Sequence, residues 1–152
     1  MKKIIIDTNF LMIPYQFRVD IFSEFKRICA FNYNLFIYEQ SINELNNIVE
    51  KQSGKDKRAA QFALKLIKIK GINTINTVKP ENKYIDVDSL ILNNLDKDTI
   101  IATQDLQLKK QLIEKGASVI IIRQKKYLEL FEILVIHGKR SSAAWGKGYL
   151  TR

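Results

Sequence analysis

The chain has almost none of the residues that make thiol or imidazole chemistry. One cysteine in 152 residues, Cys29, excludes an internal disulfide and any cysteine-based zinc site. His137 is the only histidine, and it stands at the end of the chain in a stretch without acids. With 2 Pro and 6 Gly against 46% hydrophobic residues, the composition is that of a packed globular domain and excludes a fibrous or disordered chain. Long hydrophobic runs are missing too. The opening Met1-Lys2-Lys3-Ile4-Ile5-Ile6-Asp7 meets an acid after three apolar residues, and nothing approaches the roughly 18 needed to span a bilayer. A soluble, cytoplasmic protein with no membrane partner is expected. Acids are also scarce: 16 Asp and Glu face 25 Lys and Arg, a net charge of +9. That imbalance favours an anionic partner, nucleic acid first.

The length suits one domain. Short unbroken apolar runs alternate with amphipathic stretches, which predicts α/β layering around a parallel sheet buried on both faces. The strand candidates are Ile4-Ile5-Ile6, Leu35-Phe36-Ile37, a weaker Thr74 to Val78, Ile100-Ile101-Ala102 and Val119 to Ile122. Helices are predicted from about Ile21 to Cys29 with Asp20 as cap, Gln40 to Glu50, Lys57 to Lys70, Val87 to Leu95, and Leu106 to Lys115. Gly71 and Gly116 read as C-terminal caps. Lys51 to Asp56 reads as a polar loop. The expected domain runs over residues 1–136, followed by an irregular basic tail, 137–152.

In such folds ligands bind beyond the carboxyl ends of the strands. Two strands end there in acids: Ile4-Ile5-Ile6 runs into Asp7-Thr8-Asn9, and Ile100-Ile101-Ala102-Thr103 into Gln104-Asp105. Glu44, beside the apolar stripe of the helix after the second strand, and Asp88, at the start of the helix preceding the strand that leads to Asp105, can join them. Singly, each has a plain explanation as a turn residue, helix cap or solvated side chain. Together they need a cation or shared protons, because two carboxylates about 4 Å apart repel by on the order of 4 kcal/mol at an effective dielectric of about 20. Hard oxygen donors without His or Cys suit Mg²⁺ or Mn²⁺. A basic protein holding such an ion is suited to phosphodiester hydrolysis.

At these residues the chain resembles the PIN-domain nucleases over roughly Lys2 to Arg123. The likeness rests on the strand running into Asp7-Thr8-Asn9, on Glu44 in Ser41-Ile42-Asn43-Glu44-Leu45, on Asp88 in Val87-Asp88-Ser89-Leu90-Ile91-Leu92, and on Asp105 in Ala102-Thr103-Gln104-Asp105-Leu106-Gln107-Leu108. The segment from Asp7 to Pro14, with Gln16 and Val19-Asp20-Ile21-Phe22, looks most like archaeal members related to the eukaryotic nucleases that process small-subunit ribosomal RNA; such members are often labelled VapC-type toxins. The resemblance implies a three-layer α/β/α fold with a central parallel sheet of about five strands and a Mg²⁺- or Mn²⁺-dependent endoribonuclease. It implies Asp7, Glu44, Asp88 and Asp105 as the catalytic and metal-binding set, with Thr8, Asn9 and Thr103 in support. RNA, ribosomal RNA or its precursor, is the expected substrate, and an antitoxin and a second copy of the chain are candidate partners. Two positions depart from the processing-nuclease pattern: Ser89 and Gln107 stand where further acids are common. They leave open a catalytically weak RNA-binding or assembly module in ribosome biogenesis.

Several other residues have ordinary readings beside functional ones. Cys29 belongs to an apolar helix face. Trp145, among the tail's cations, suits either base stacking or docking on the domain. Lys109 and Lys110, one turn beyond Asp105, are the expected grips on the RNA backbone, with Arg123, Lys125, Lys126, Lys139 and Arg140 as further contacts. A phospho-receiver domain would need adjacent acids after the first strand, and a haloacid-type phosphatase would need Asp where Asn9 stands. Neither explains the positive charge.

Overall fold

The computed structural model describes residues 1–77 and 85–132, together with the backbone of 135–136 and 139–140. The chain opens with β1 (Lys2–Ile6), a 3₁₀ turn (Thr8–Met12), α1 (Ile13–Phe17) and α2 (Ile21–Ile28). β2 (Tyr33–Tyr38), α3 (Glu39–Lys51), α4 (Gly54–Ile69) and β3 (Asn73–Ile75) follow. The second half holds α5 (Val87–Asn93), β4 (Thr99–Ala102), α6 (Leu106–Glu114), β5 (Ser118–Arg123) and β6 (Tyr127–Phe131). Two short strands, β7 (Val135–Ile136) and β8 (Lys139–Arg140), pair with each other. Val78, His137, Trp145 and the side chains of Lys139 and Arg140 lie outside the described residues.

The main sheet has the order β3-β2-β1-β4-β5-β6. Five strands are parallel, as expected, and β6 adds an antiparallel edge. Alternation along β1 builds two cores. Ile4 and Ile6 face the 3₁₀ turn and α1 to α4, packing with Phe10, Leu11, Phe25, Leu45 and Ala60. Ile5 faces the opposite way with Ile101, Val119 and Ile121, under Leu90, Ile91, Leu108 and Leu112 of α5 and α6. The sheet is thus covered on both faces, which is why its central strands read as unbroken isoleucine.

Local chemistry sets the ends of these elements. Asp20 caps α2 by accepting from the N–H groups of Phe22 and Ser23. Gly71 and Gly116, at φ 61° and 78°, follow α4 and α6. In each case the glycine and the next residue close the last turn, Gly71 onto Lys68 and Ile72 onto Ile67, Gly116 onto Ile113 and Ala117 onto Leu112. The polar loop predicted over Lys51 to Asp56 shrinks to Gln52-Ser53, because α4 begins at Gly54. Buried Ala59, Ala60 and Ala63 carry that helix against the core while its charged residues face out. Among the described residues no helix is long and apolar enough to cross a membrane.

The chain moves from β1 outward to β2 and β3, then returns to the other side of β1 for β4 and β5. The strand order therefore reverses between β1 and β4, where a crevice must open.

Candidate active site

Ile6 of β1 is in register with Ala102 of β4, so Asp7 and Thr103 leave the sheet side by side. The Asp7 N–H donates to Ala102 O at 2.9 Å, holding the two strand ends together. Asp7 is buried, and both of its oxygens are occupied: Oδ1 accepts from the Thr8 N–H at 2.9 Å and Oδ2 from the Thr103 hydroxyl at 2.8 Å. Thr103 Oγ1 in turn accepts from the Asp105 N–H at 3.0 Å. One hydroxyl thus orients both acids, the first directly and the second through its backbone.

Thr8 performs the same service for α3. Its Oγ1 donates to Glu44 Oε1 at 2.6 Å and lies 2.8 Å from Ser41 Oγ. A hydroxyl has one proton, and the carboxylate takes it, so Ser41 supplies the proton of the second bond. Asp105 is the N-cap of α6, its Oδ1 accepting from the N–H groups of Gln107 and Leu108 at 2.9 and 3.1 Å. Asp88 lies in the first turn of α5. The cap of that helix is Asp86, whose Oδ1 accepts from the Ser89 N–H at 2.7 Å.

These elements surround a cavity of about 230 Å³ lined by Asp7, Thr8, Asn9, Glu44, Asp86, Asp88 and Asp105, with Val87. Five carboxylates and no basic side chain line it. The crowding shifts their protonation. Burial pushes Asp7 up to about 6, against the Thr103 hydrogen bond, and the charges of Asp88 and Glu44 add to the rise. Asp88 is raised by partial burial, then by Asp105 and Asp86. Asp86 is lowered by its hydrogen bonds with Ser89. Among the described residues no three of these side chains converge closely enough to form a ready-made ligand cluster. The acids ring the cavity and do not meet at one point. At about 30 Å³ per water the cavity has room for roughly seven waters, enough for a hydrated divalent ion. The donors in this lining, five carboxylates with the Thr8 hydroxyl and the Asn9 amide and no basic group, suit Mg²⁺ or Mn²⁺.

The four acids expected from sequence share this cavity, with Thr8 and Asn9 in its wall and Thr103 beneath Asp7. The expected RNA grips are placed differently. Lys109 turns towards the β5–β6 edge, its Nζ 4.8 Å from the Phe131 ring centroid, where burial lowers its pKa. Arg123 sits over the same ring at 5.3 Å and pairs with buried Glu129 at 3.4 Å. Lys109 and Lys110 are absent from the cavity wall. Lys110 and Lys126 are exposed, and Lys125 stacks over Phe17 at 5.3 Å. Cys29 is buried with its thiol pushed up to about 11 by burial, which leaves it unreactive at neutral pH. Sequence reading missed Ser41, and it missed Gln104, whose Nε2 donates to Asn9 O at 2.8 Å and ties the two loops together. Neither residue type carries a signal without the fold.

The family model described as a PIN-like domain matches residues 4–125. Ribonuclease VapC4 of Methanocaldococcus jannaschii is 30% identical over 131 residues, 86% of this chain and 98% of that protein. Ribonuclease VapC9 of Archaeoglobus fulgidus is 27% identical over 132 residues, 84% and 90% of the two chains. Among solved structures, the PIN domain endonuclease Utp24 superposes with a TM-score of 0.68 at 18% identity, covering 87% of this chain and 92% of its own. That likeness concerns the fold.

Proposed function

This chain belongs to the PIN-like domain family, and from that premise we propose that it is an endoribonuclease dependent on Mg²⁺ or Mn²⁺. The observation that carries the proposal is the acid cavity at the switch point of the sheet. Carboxylates from four separate elements line it without a neutralising base, in a chain of net charge +9. Asp7 and Asp105 would hold the ion, Asp88 would ligate it directly or through water, and Glu44 would orient the attacking water. A bound ion supplies Lewis acidity at the phosphoryl oxygen and makes water a better nucleophile. Thr103 and Thr8 fix the carboxylates by the hydrogen bonds already described, so that little reorganisation remains when substrate arrives. RNA is favoured over DNA because the relatives VapC4 and VapC9 are named as ribonucleases.

Cleavage of RNA in Mn²⁺, compared between wild type and Asp7→Asn, tests this reading. Loss of on the order of 100-fold or more is expected for the variant, and full activity would sink the assignment. The absence of a ready ligand cluster and the presence of Ser89 favour one competing reading, an RNA-binding module without catalysis. A Mn²⁺ titration followed by calorimetry separates them, since a module of that kind shows no uptake. Within the enzyme reading, growth arrest on expression without a neighbouring antitoxin favours a toxin. Crosslinking of Asp7→Asn protein to ribosomal RNA precursors favours processing.

A further inference from the structure

A strand at the edge of a sheet turns the N–H and C=O of every second residue outward, ready to pair with another chain. The main sheet ends in β3 on one side and in β6 on the other. The two edges differ in what they offer. β3 is three residues long, and its Asn73 and Thr74 are exposed and polar, so little invites a partner there. β6 is Tyr127-Leu128-Glu129-Leu130-Phe131, two rings and two leucines around a single charge. Such a segment has the composition of a self-associating strand, and pairing with its own copy about a two-fold axis would join two sheets into one.

Leu128 stands opposite Ile122 of β5 and presents its own N–H and C=O to the outside, where side chains of α2 take both. Glu24 Oε1 accepts from the Leu128 N–H at 2.9 Å, and Arg27 Nη2 donates to Leu128 O at 2.9 Å. The two side chains also hold each other. Arg27 Nε donates to Glu24 Oε2 and Nη2 to Oε1, each at 2.9 Å. An acceptor and a donor fixed side by side are what one residue of a neighbouring antiparallel strand presents to the residue opposite it. The Arg27 side chain is 52% exposed, so the fork stands at the solvent boundary, in the space through which a further strand would run. An ion pair this exposed adds little to stability, about 1 kcal/mol or less, and its geometry calls for another explanation.

We propose that Glu24 and Arg27 act together as a strand mimic that closes the outer edge of the sheet to a second copy of this chain. The fork occupies the outward groups of Leu128 and leaves no acceptor or donor there for an incoming strand. It comes from α2, more than 100 residues earlier in the chain, so the edge is closed only once that helix has docked on the finished sheet. The short polar β3 edge carries no need for such a device.

Sedimentation velocity of the full chain across a dilution series tests this with Glu24→Ala/Arg27→Ala, which removes one charge of each sign and leaves the net charge unchanged. As concentration rises, the double variant should move to a species of about twice the wild-type mass. Hydrogen exchange locates the contact. At the dilute end the Leu128 amide should exchange roughly 10- to 100-fold faster than in wild type, and at the concentrated end its protection should return. Glu24→Gln should keep the wild-type state, because its amide oxygen still accepts from the Leu128 N–H beside an intact Arg27. Asp20→Ala, which weakens the same helix at its cap and spares the fork, should keep it too. A double variant that is folded by circular dichroism and holds the wild-type mass at every concentration would overturn the proposal. So would association that leaves the Leu128 amide fast, since the contact then lies elsewhere, and so would equal association by Asp20→Ala, since lost stability would then be the cause. Arg27→Ala alone decides the matter by the same criteria if the double variant does not fold.

Discussion

At the residue scale, Asp7 has the most to lose or gain. Its folded-state pKa of about 6 lies above the ordinary aspartate value of 3.8. The folded protein therefore holds this proton more tightly than the unfolded chain does. Its contribution is fully favourable below the unfolded value, is lost as pH rises through the window from 3.8 to about 6, and leaves a penalty of roughly 2–3 kcal/mol above it. Asp7→Asn removes the penalty while its amide oxygen still accepts from the Thr8 N–H. In EDTA at pH 8 this variant should be more stable than wild type by about 1–3 kcal/mol in urea denaturation, with the advantage gone near pH 4. Equal stability at pH 8 would show that the buried carboxyl carries no such cost. A residue that destabilises its own fold in this way is kept for something other than folding. The four acids were legible in sequence because each ends a strand or begins or rides a helix, so topology alone brings them together. The direction of Lys109 is not legible for the complementary reason: one helical turn fixes its distance from Asp105 along α6, and only the position of Phe131 on β6 decides which way it turns.

At the element scale, the strands buried on both faces and the glycine-ended helices could be read, and the β5–β6 hairpin could not. Hairpin turns announce themselves by Asn-Gly or Asp-Gly. Here Gln124 and Lys125 occupy the central positions at φ 52° and 55°, closed by the Lys126 N–H onto Arg123 O at 2.9 Å. Neither residue signals a left-handed turn, so nothing marked β6 as a strand. Left-handed backbone costs a side-chain-bearing residue about 1–2 kcal/mol, and glycine regains part of that in unfolded-state entropy. Gln124→Gly should therefore raise stability by about 0.5–1 kcal/mol, read as a higher urea midpoint with an unchanged slope. A second prediction separates capping from chemistry at α6. Asp105 both caps that helix and lines the cavity. Serine is as good a cap as aspartate, so Asp105→Ser should fold within about 0.5 kcal/mol of wild type and lose cleavage by on the order of 100-fold. Asp20→Ala, which removes the cap of α2, should cost about 1 kcal/mol and leave cleavage intact. If both variants lost activity in proportion to stability, Asp105 would be a cap and nothing more.

At the scale of the whole molecule, the charge separates into two neighbouring regions. Five of the 16 acids line one cavity of about 230 Å³, and an open groove beside it, which shares Asp105 with the cavity, carries Arg18, Lys55 and Arg58 against one further acid, Asp56. Composition announces the excess of positive charge but not this separation, which arises because β1 and β4 adjoin at the switch point while α1 and α4 flank it on one face. The arrangement couples ion binding to protons. A cation entering the cavity must displace the proton that Asp7 holds below about pH 6, so its apparent affinity should decline towards tenfold per pH unit beneath that value and level off above it. Mn²⁺ titrations by calorimetry at pH 5, 6 and 7.5 read this directly, with proton release seen as a dependence of the heat on buffer ionisation. The same ion should raise the midpoint of thermal unfolding more at pH 7.5 than at pH 5, because at the higher pH it also cancels the repulsion that the uncharged Asp7 avoids at the lower one. A pH-independent affinity with no proton release would mean that the ion binds away from Asp7, and the assignment of the cavity as the metal site would fail with it.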